Sequence, residues 1–219
     1  MKRVKLLLIA ILLIVVPLSV FAQTGASIME KLQATQQADS SALDIRLSLI
    51  ESNGVERERR IQTLTLTENN LTSTITVFLS PASVKNTRFL TQENRSGGDD
   101  QWIFLPSIGR IKRIAASEGS GSFMGSDFSY SDMASTTYDV DEADHTLLGE
   151  ETIAGRRAYF IESIPLTASD YGKTRIWVDK EHYLPLKVDF YSKDGKTLVK
   201  TLTTDSIKYM EGRWISQTV

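Results

Sequence analysis

The chain has 219 residues, 41% of them hydrophobic and 24% charged, with a formal net charge of −2 and no cysteine. Such fractions exclude wholesale disorder, a polytopic membrane protein and a collagen-like repeat. The lack of cysteine removes disulfides, thiolate metal sites, cysteine nucleophiles and iron–sulfur clusters together.

Residues 1–22 read as an address. Lys2, Arg3 and Lys5 precede an apolar run from Leu6 to Val16, and Val20-Phe21-Ala22 gives a small-residue cleavage pattern, so a signal peptide ending at Ala22 is expected. The alternative, a membrane anchor, would have to span with an uncharged stretch at the short limit. Cleavage leaves 22 of the 25 basic residues against 27 acidic ones, a net −5, which argues against nucleic-acid binding. Without cysteine there is no site for a lipid anchor. Residues 23–219 are therefore expected to form a single domain, free in the periplasm if the cell has two membranes.

The helix signal is confined to residues 26–38, with Ile28, Met29 and Leu32 along one side. Period-two alternation follows. Leu43, Ile45, Leu47 and Leu49 alternate with polar neighbours. Leu71, Ser73, Ile75, Val77 and Leu79 alternate with Thr72, Thr74, Thr76 and Phe78, and Leu184, Leu186, Val188 and Phe190 repeat the pattern late in the chain. Asn53-Gly54 and Asp194-Gly195 are hairpin turns between such runs. About ten short strands are expected, in one strongly twisted or curled antiparallel sheet with an apolar and a polar face. One helix cannot cover that apolar face. Residues 115–144 lack alternation but carry Phe123, Met124, Phe128, Tyr130 and Met133, which makes them a candidate lid.

Chemistry is sparse. His145 and His182 both read as solvated turn residues, and neither a zinc-protease motif nor a nucleophile elbow occurs. Asp139, Asp141, Glu142 and Asp144 lack the pattern of a calcium loop and read as a solvated acidic turn. Arg110, Lys112 and Arg113, interleaved with Ile111 and Ile114, are either the polar edge of a strand or a contact for lipid headgroups or an acidic partner. No catalytic residue, cofactor or metal ligand is assigned.

Two segments carry a family resemblance. Gln101-Trp102-Ile103-Phe104-Leu105-Pro106, continued by Ile108-Gly109-Arg110-Ile111-Lys112-Arg113-Ile114, and GSFMGSDFSYSD at residues 121–132 together resemble the outer membrane lipoprotein-sorting family, relatives of the LolA and LolB carriers. The segment IWVDKEHYLPLK at 176–187 agrees more loosely. The resemblance implies a mainly β fold, an incomplete, half-open β-barrel with an N-terminal helix and a helix/loop lid. It also implies a monomeric carrier that holds the acyl chains of a lipoprotein or lipid on their way towards the outer membrane. Trp102, Phe104, Phe123, Met124, Phe128 and Tyr130 are then expected to line the cavity and lid, with Arg110, Lys112 and Arg113 at its mouth and Gly121 and Gly125 allowing the loop to bend. Ser80 stands before Pro81 where LolA carriers have a basic residue, a departure from the family's handover pattern. Family members continue for more strands, which raises the expectation of a truncated C-terminus.

Two other functions compete. One is an accessory subunit of an RND-type inner-membrane exporter, docked through the basic strip. The other is a lipid hydrolase using Ser122 or Ser126 with Asp127, for which no histidine lies nearby in sequence.

Overall fold

A computed structural model of the chain describes residues 23–134 and 140–219. The signal-peptide reading of residues 1–22, and Asp139 of the acidic turn, lie outside the described residues. The first element is helix α1 (Gly25–Gln36). Thr24 caps it: its Oγ1 accepts from the Ser27 backbone N–H at 3.1 Å, and the Ser27 hydroxyl accepts from the Thr24 backbone N–H at 3.0 Å. The helix ends two residues before the expected stop, as Gln37 turns into extended backbone.

Among the described residues thirteen strands follow. β1 (Ser40–Ile50), β2 (Glu56–Glu68), β3 (Leu71–Ser80), β4 (Arg88–Gln92), β5 (Asp100–Leu105) and β6 (Arg110–Arg113) form a six-stranded antiparallel meander. β7 (Ala143–Ile153), β8 (Arg156–Pro165), β9 (Lys173–Asp179), β10 (Pro185–Tyr191) and β11 (Leu198–Thr203) form a second meander of five. β12 (Ser206–Met210) and β13 (Arg213–Thr218) make a separate hairpin. The expected single sheet is thus divided into two meanders and a hairpin. The described strands do not close into a barrel, and the architecture is the half-open one.

Each main sheet has an inner face with its own cover. Ile28, Met29 and Leu32 of α1 pack on Tyr159, Ile161, Ile176, Val178 and Val188 of the five-stranded sheet. The three helix residues are no more than 1% exposed, and burying each contributes about 1.5–3 kcal/mol gross. On the six-stranded sheet, Ile61, Phe78, Phe89 and Ile103 pack against Ile114 and Phe123 of the following segment.

The register shows which face of the six-stranded sheet this is, and it reverses one expectation. On β3 the buried residues are Thr74, Thr76 and Phe78, while Ile75 and Val77 are half-buried on the outer face. The threonines are accommodated because they pair across the strands. Thr63 meets Thr76 at 3.4 Å, Thr65 meets Thr74 at 3.1 Å, and Thr67 meets Thr72 at 3.3 Å. A hydroxyl with a partner loses most of the cost of burial, so apolar alternation alone pointed to the wrong side.

Candidate functional site: the lid and the inner face

Residues 115–134 form a compact lid. After a short 3-10 turn (Ala116–Glu118), the chain doubles back in a tight loop at 122–129 and ends in a one-turn helix, α2 (Tyr130–Ala134). The loop is held from within. The Phe123 N–H donates to Phe128 O at 2.7 Å, Ser122 Oγ donates to Ser126 O at 2.7 Å, and Ser126 Oγ donates to Phe123 O at 2.8 Å. Met124 (φ 53°) and Gly125 (φ 74°) take the left-handed conformation that reverses the chain. Gly121 has a different role: a Cβ there would lie 3.0 Å from Glu118 O.

The lid presents its aromatic rings to the sheet. Phe123, 1% exposed, lies 5.9 Å from Phe78, 5.0 Å from Phe89 and 5.6 Å from Tyr130, measured between ring centroids. Met124, Phe128, Tyr130 and Met133 pack around the same cluster. At its other end the lid is fastened to the five-stranded sheet. Asp132 accepts from the Ser129 N–H at 2.6 Å and from the Tyr171 hydroxyl at 3.0 Å, and it is ion-paired with Lys200 of β11. Burial alone would lower the Lys200 pKa, but the bonds to Asp132 and Tyr171 outweigh it and raise it above the usual lysine value.

The inner face runs on past the lid. The register places Ile45 opposite Ile61, and Ile61 opposite Phe78, which touches Phe123. Leu43 and Ile45, on this same face, are 45% and 38% exposed. Arg59 shares it: its guanidinium lies 5.8 Å from the Phe78 ring, and its buried Nη1 has no hydrogen-bond partner among the described residues. Burial, reinforced by nearby Arg57, lowers its pKa.

The residues singled out in the sequence separate into two groups. Phe123, Met124, Phe128 and Tyr130 come together on the inner side. Trp102 and Phe104 do not join them. They flank Ile103, the β5 residue that packs with Phe123, and so point to the outer face, opposite Arg113 and Ile111 of β6. The basic strip is divided in the same way. Arg110 and Lys112 share the inner parity and Arg113 the outer one, with Lys112 paired to Glu118 and Arg113 to Asp100. Ser126 and Ser122 spend their hydroxyls on lid carbonyls. His145 bonds Ser163 at 2.7 Å, and His182 stacks on Trp214 at 4.0 Å.

Sequence reading missed Asp132, Tyr171, Lys200 and Arg59. Arg59 was legible in principle, since it keeps the parity of Ile61 within Arg57-Glu58-Arg59-Arg60. The Lys200–Asp132 pair joins residues 68 apart and left no local signal. A polar cleft of about 430 Å³, lined by Asn69, Asn70, Glu93, Asn94 and Arg95, lies at the β2–β3 and β4–β5 turns; its lining does not suit an acyl chain.

A half-open antiparallel barrel with a helix and an aromatic lid on its inner side defines the lipoprotein-carrier type of fold. Solved structures agree. A DUF1329 family protein from Desulfovibrio piger has a TM-score of 0.83 at 29% identity. An outer membrane lipoprotein-sorting protein domain from Vibrio parahaemolyticus has 0.80 at 33% identity, and a LolA superfamily protein from Nitrosomonas europaea 0.68 at 25%. Each alignment covers 88% of this chain and 82% of the other. A model for a DUF1329-like uncharacterized protein family matches residues 70–219. No curated protein matches the chain. The chain belongs to the outer membrane lipoprotein-sorting protein family, with the LolA-superfamily fold.

Proposed function

We propose that this protein is a periplasmic carrier that shields the acyl chains of a lipoprotein or lipid during transfer towards the outer membrane. The observation that carries the reading is the apolar inner face itself: covered by Phe123 at Phe78 and Phe89, it continues uncovered to Leu43 and Ile45. Such a surface has a use if the lid moves aside and a chain takes its place. Each methylene withdrawn from water contributes about 0.8 kcal/mol, so a long acyl chain does not cross an aqueous space unaided at a useful rate. The donor membrane already provides that burial. The carrier must match it without exceeding it, or cargo would not be released. A lid whose rings rest on the inner face meets this condition, because it competes with the cargo. Arg59, with its unpartnered Nη1 beside the apolar face, is placed to receive an anionic or carbonyl oxygen of the cargo's polar end. The basic-then-apolar start of the chain supports export to the periplasm.

An acyl-binding assay on Ile45→Glu tests the reading. Ile45 is half in solvent, so the fold is expected to stand, while a charge in the path of the chain lowers affinity for a fluorescent long-chain acyl probe by roughly tenfold or more. Unchanged probe affinity in a folded variant would count against an inner-face site.

A further inference from the structure

The outer face of the six-stranded sheet carries a second apolar surface that a cargo site on the inner face does not use. The register lines up Ile75, Leu90 and Trp102 in one cross-strand row, and sets Phe104 beside Ile111 in the next. The surface ends at the β5–β6 hairpin, where residues 106–113 are all exposed; Ile108 is 60% and Ile111 71% exposed. Cations surround it. Arg88 lies 5.9 Å over the Phe104 ring, Arg113 stands opposite Trp102, and Arg110 is at the tip. Among the described residues Arg88 and Arg110 have no ion-pair partner, while Lys112 is paired with Glu118 and Arg113 with Asp100; from Pro106 to Ile114 the sequence itself holds three basic residues and no acidic one. This stands out in a chain of net charge −2.

Aliphatic and aromatic side chains at a protruding edge, ringed by arginines, are the combination that suits the boundary between lipid headgroups and acyl chains. The face is the outside of a half-open barrel. It therefore fits a deformable surface rather than a shape-matched protein. We propose that the β5–β6 edge docks the protein on an anionic phospholipid bilayer: Ile108, Ile111, Trp102 and Phe104 enter the interfacial layer, and Arg88 and Arg110 meet headgroup phosphates. The rest of the acidic surface is repelled by the same bilayer, which orients the molecule edge-on. The inference is independent of what the inner face holds.

Flotation with vesicles of phosphatidylethanolamine and phosphatidylglycerol tests it, using protein purified from the periplasm of the producing cell. The protein is expected to float with these vesicles at low salt, to be released at high salt, and to stay unbound with phosphatidylcholine vesicles. Ile108→Glu combined with Ile111→Glu, both exposed at the β5–β6 edge, is expected to lower vesicle partition roughly tenfold or more while leaving thermal stability and acyl-probe binding unchanged. That last readout separates a failure here from a failure of the carrier reading. Equal flotation of the double variant, no flotation of the wild type, equal binding to phosphatidylcholine, or occupation of this edge by a soluble protein in place of vesicles would each overturn the proposal.

Discussion

Lys200 on β11 is ion-paired with Asp132 in the lid, with the two side chains 16% and 11% exposed, and Tyr171 bonds to both. This is the polar fastening between the lid and the five-stranded sheet. Removing one partner leaves the other charge nearly dry, so Lys200→Met is expected to destabilise the protein by about 2–4 kcal/mol. Lys200→Met with Asp132→Leu should cost less than the sum of the single changes. Chemical denaturation of the four proteins in a double-mutant cycle checks this, and additivity would mean that the pair is not coupled.

The pair also has a pH signature. The Lys200 pKa is raised in the folded state, since the bonds to Asp132 and Tyr171 outweigh desolvation. A raised folded pKa contributes stability that is complete below the unfolded value near 10.4 and is lost as pH climbs through the folded one. Lysine titration therefore leaves the fastening intact through the neutral range and weakens it only in strong alkali. His145 behaves in the opposite sense. Burial lowers its pKa, against the opposing effects of the Val140 backbone and Asp144, and its Nε2 is buried without a partner. The unfolded chain binds that proton first, so the stability contribution is complete above about pH 6.5 and falls as pH drops below it. Melting temperatures from pH 8 to pH 5 should decline more steeply for the wild type than for His145→Gln.

Phe123→Ala separates a lid from a fixed core. A phenylalanine deleted from a rigid core costs about 3–5 kcal/mol. If the lid can leave the sheet, global unfolding is expected to cost less than that, because the segment detaches first. Hydrogen exchange should then quicken across 115–134 while Phe78 and its neighbours on β3 stay protected. Uniformly faster exchange throughout the six-stranded sheet would make the segment ordinary core.

At Gly25 the first turn of α1 lies directly against the β7 backbone. A Cβ there would lie 2.4 Å from His145 O and 2.9 Å from Leu147 N, both of them backbone atoms that cannot rotate away. Gly25→Ala is expected to cost about 1–3 kcal/mol by displacing the helix, despite the better helix propensity of alanine. A thermal melt reads this directly, and a rise in stability would show that the contact relaxes without cost.

What was legible in the sequence follows from the range of the interactions. Alternation is local, so the strands around Leu43 and Val188 could be read in the chain. The helix was legible too, since Ile28, Met29 and Leu32 mark its buried side. The lid was visible as an apolar segment without strand period, and the family motif singled out Phe123 and Tyr130. The face assignment on β3 was not legible, because the side with more aliphatic residues is outside and the buried threonines are satisfied only by partners on β2. Trp102 and Phe104 stand beside Ile103 in the motif but alternate with it in space, so grouping them by motif joined two faces of one sheet. Lys200, Tyr171 and Asp132 meet only after both meanders have formed, and no sequence period encodes that meeting.

Native mass spectrometry of the protein isolated from the periplasm of its own cell addresses the carrier reading most directly. The expected result is a population carrying the added mass of a lipid or acylated peptide, lost when Ile45→Glu is introduced. A chain that is wholly free of lipid in that compartment, with its acyl-probe affinity unaltered by the same substitution, would contradict it.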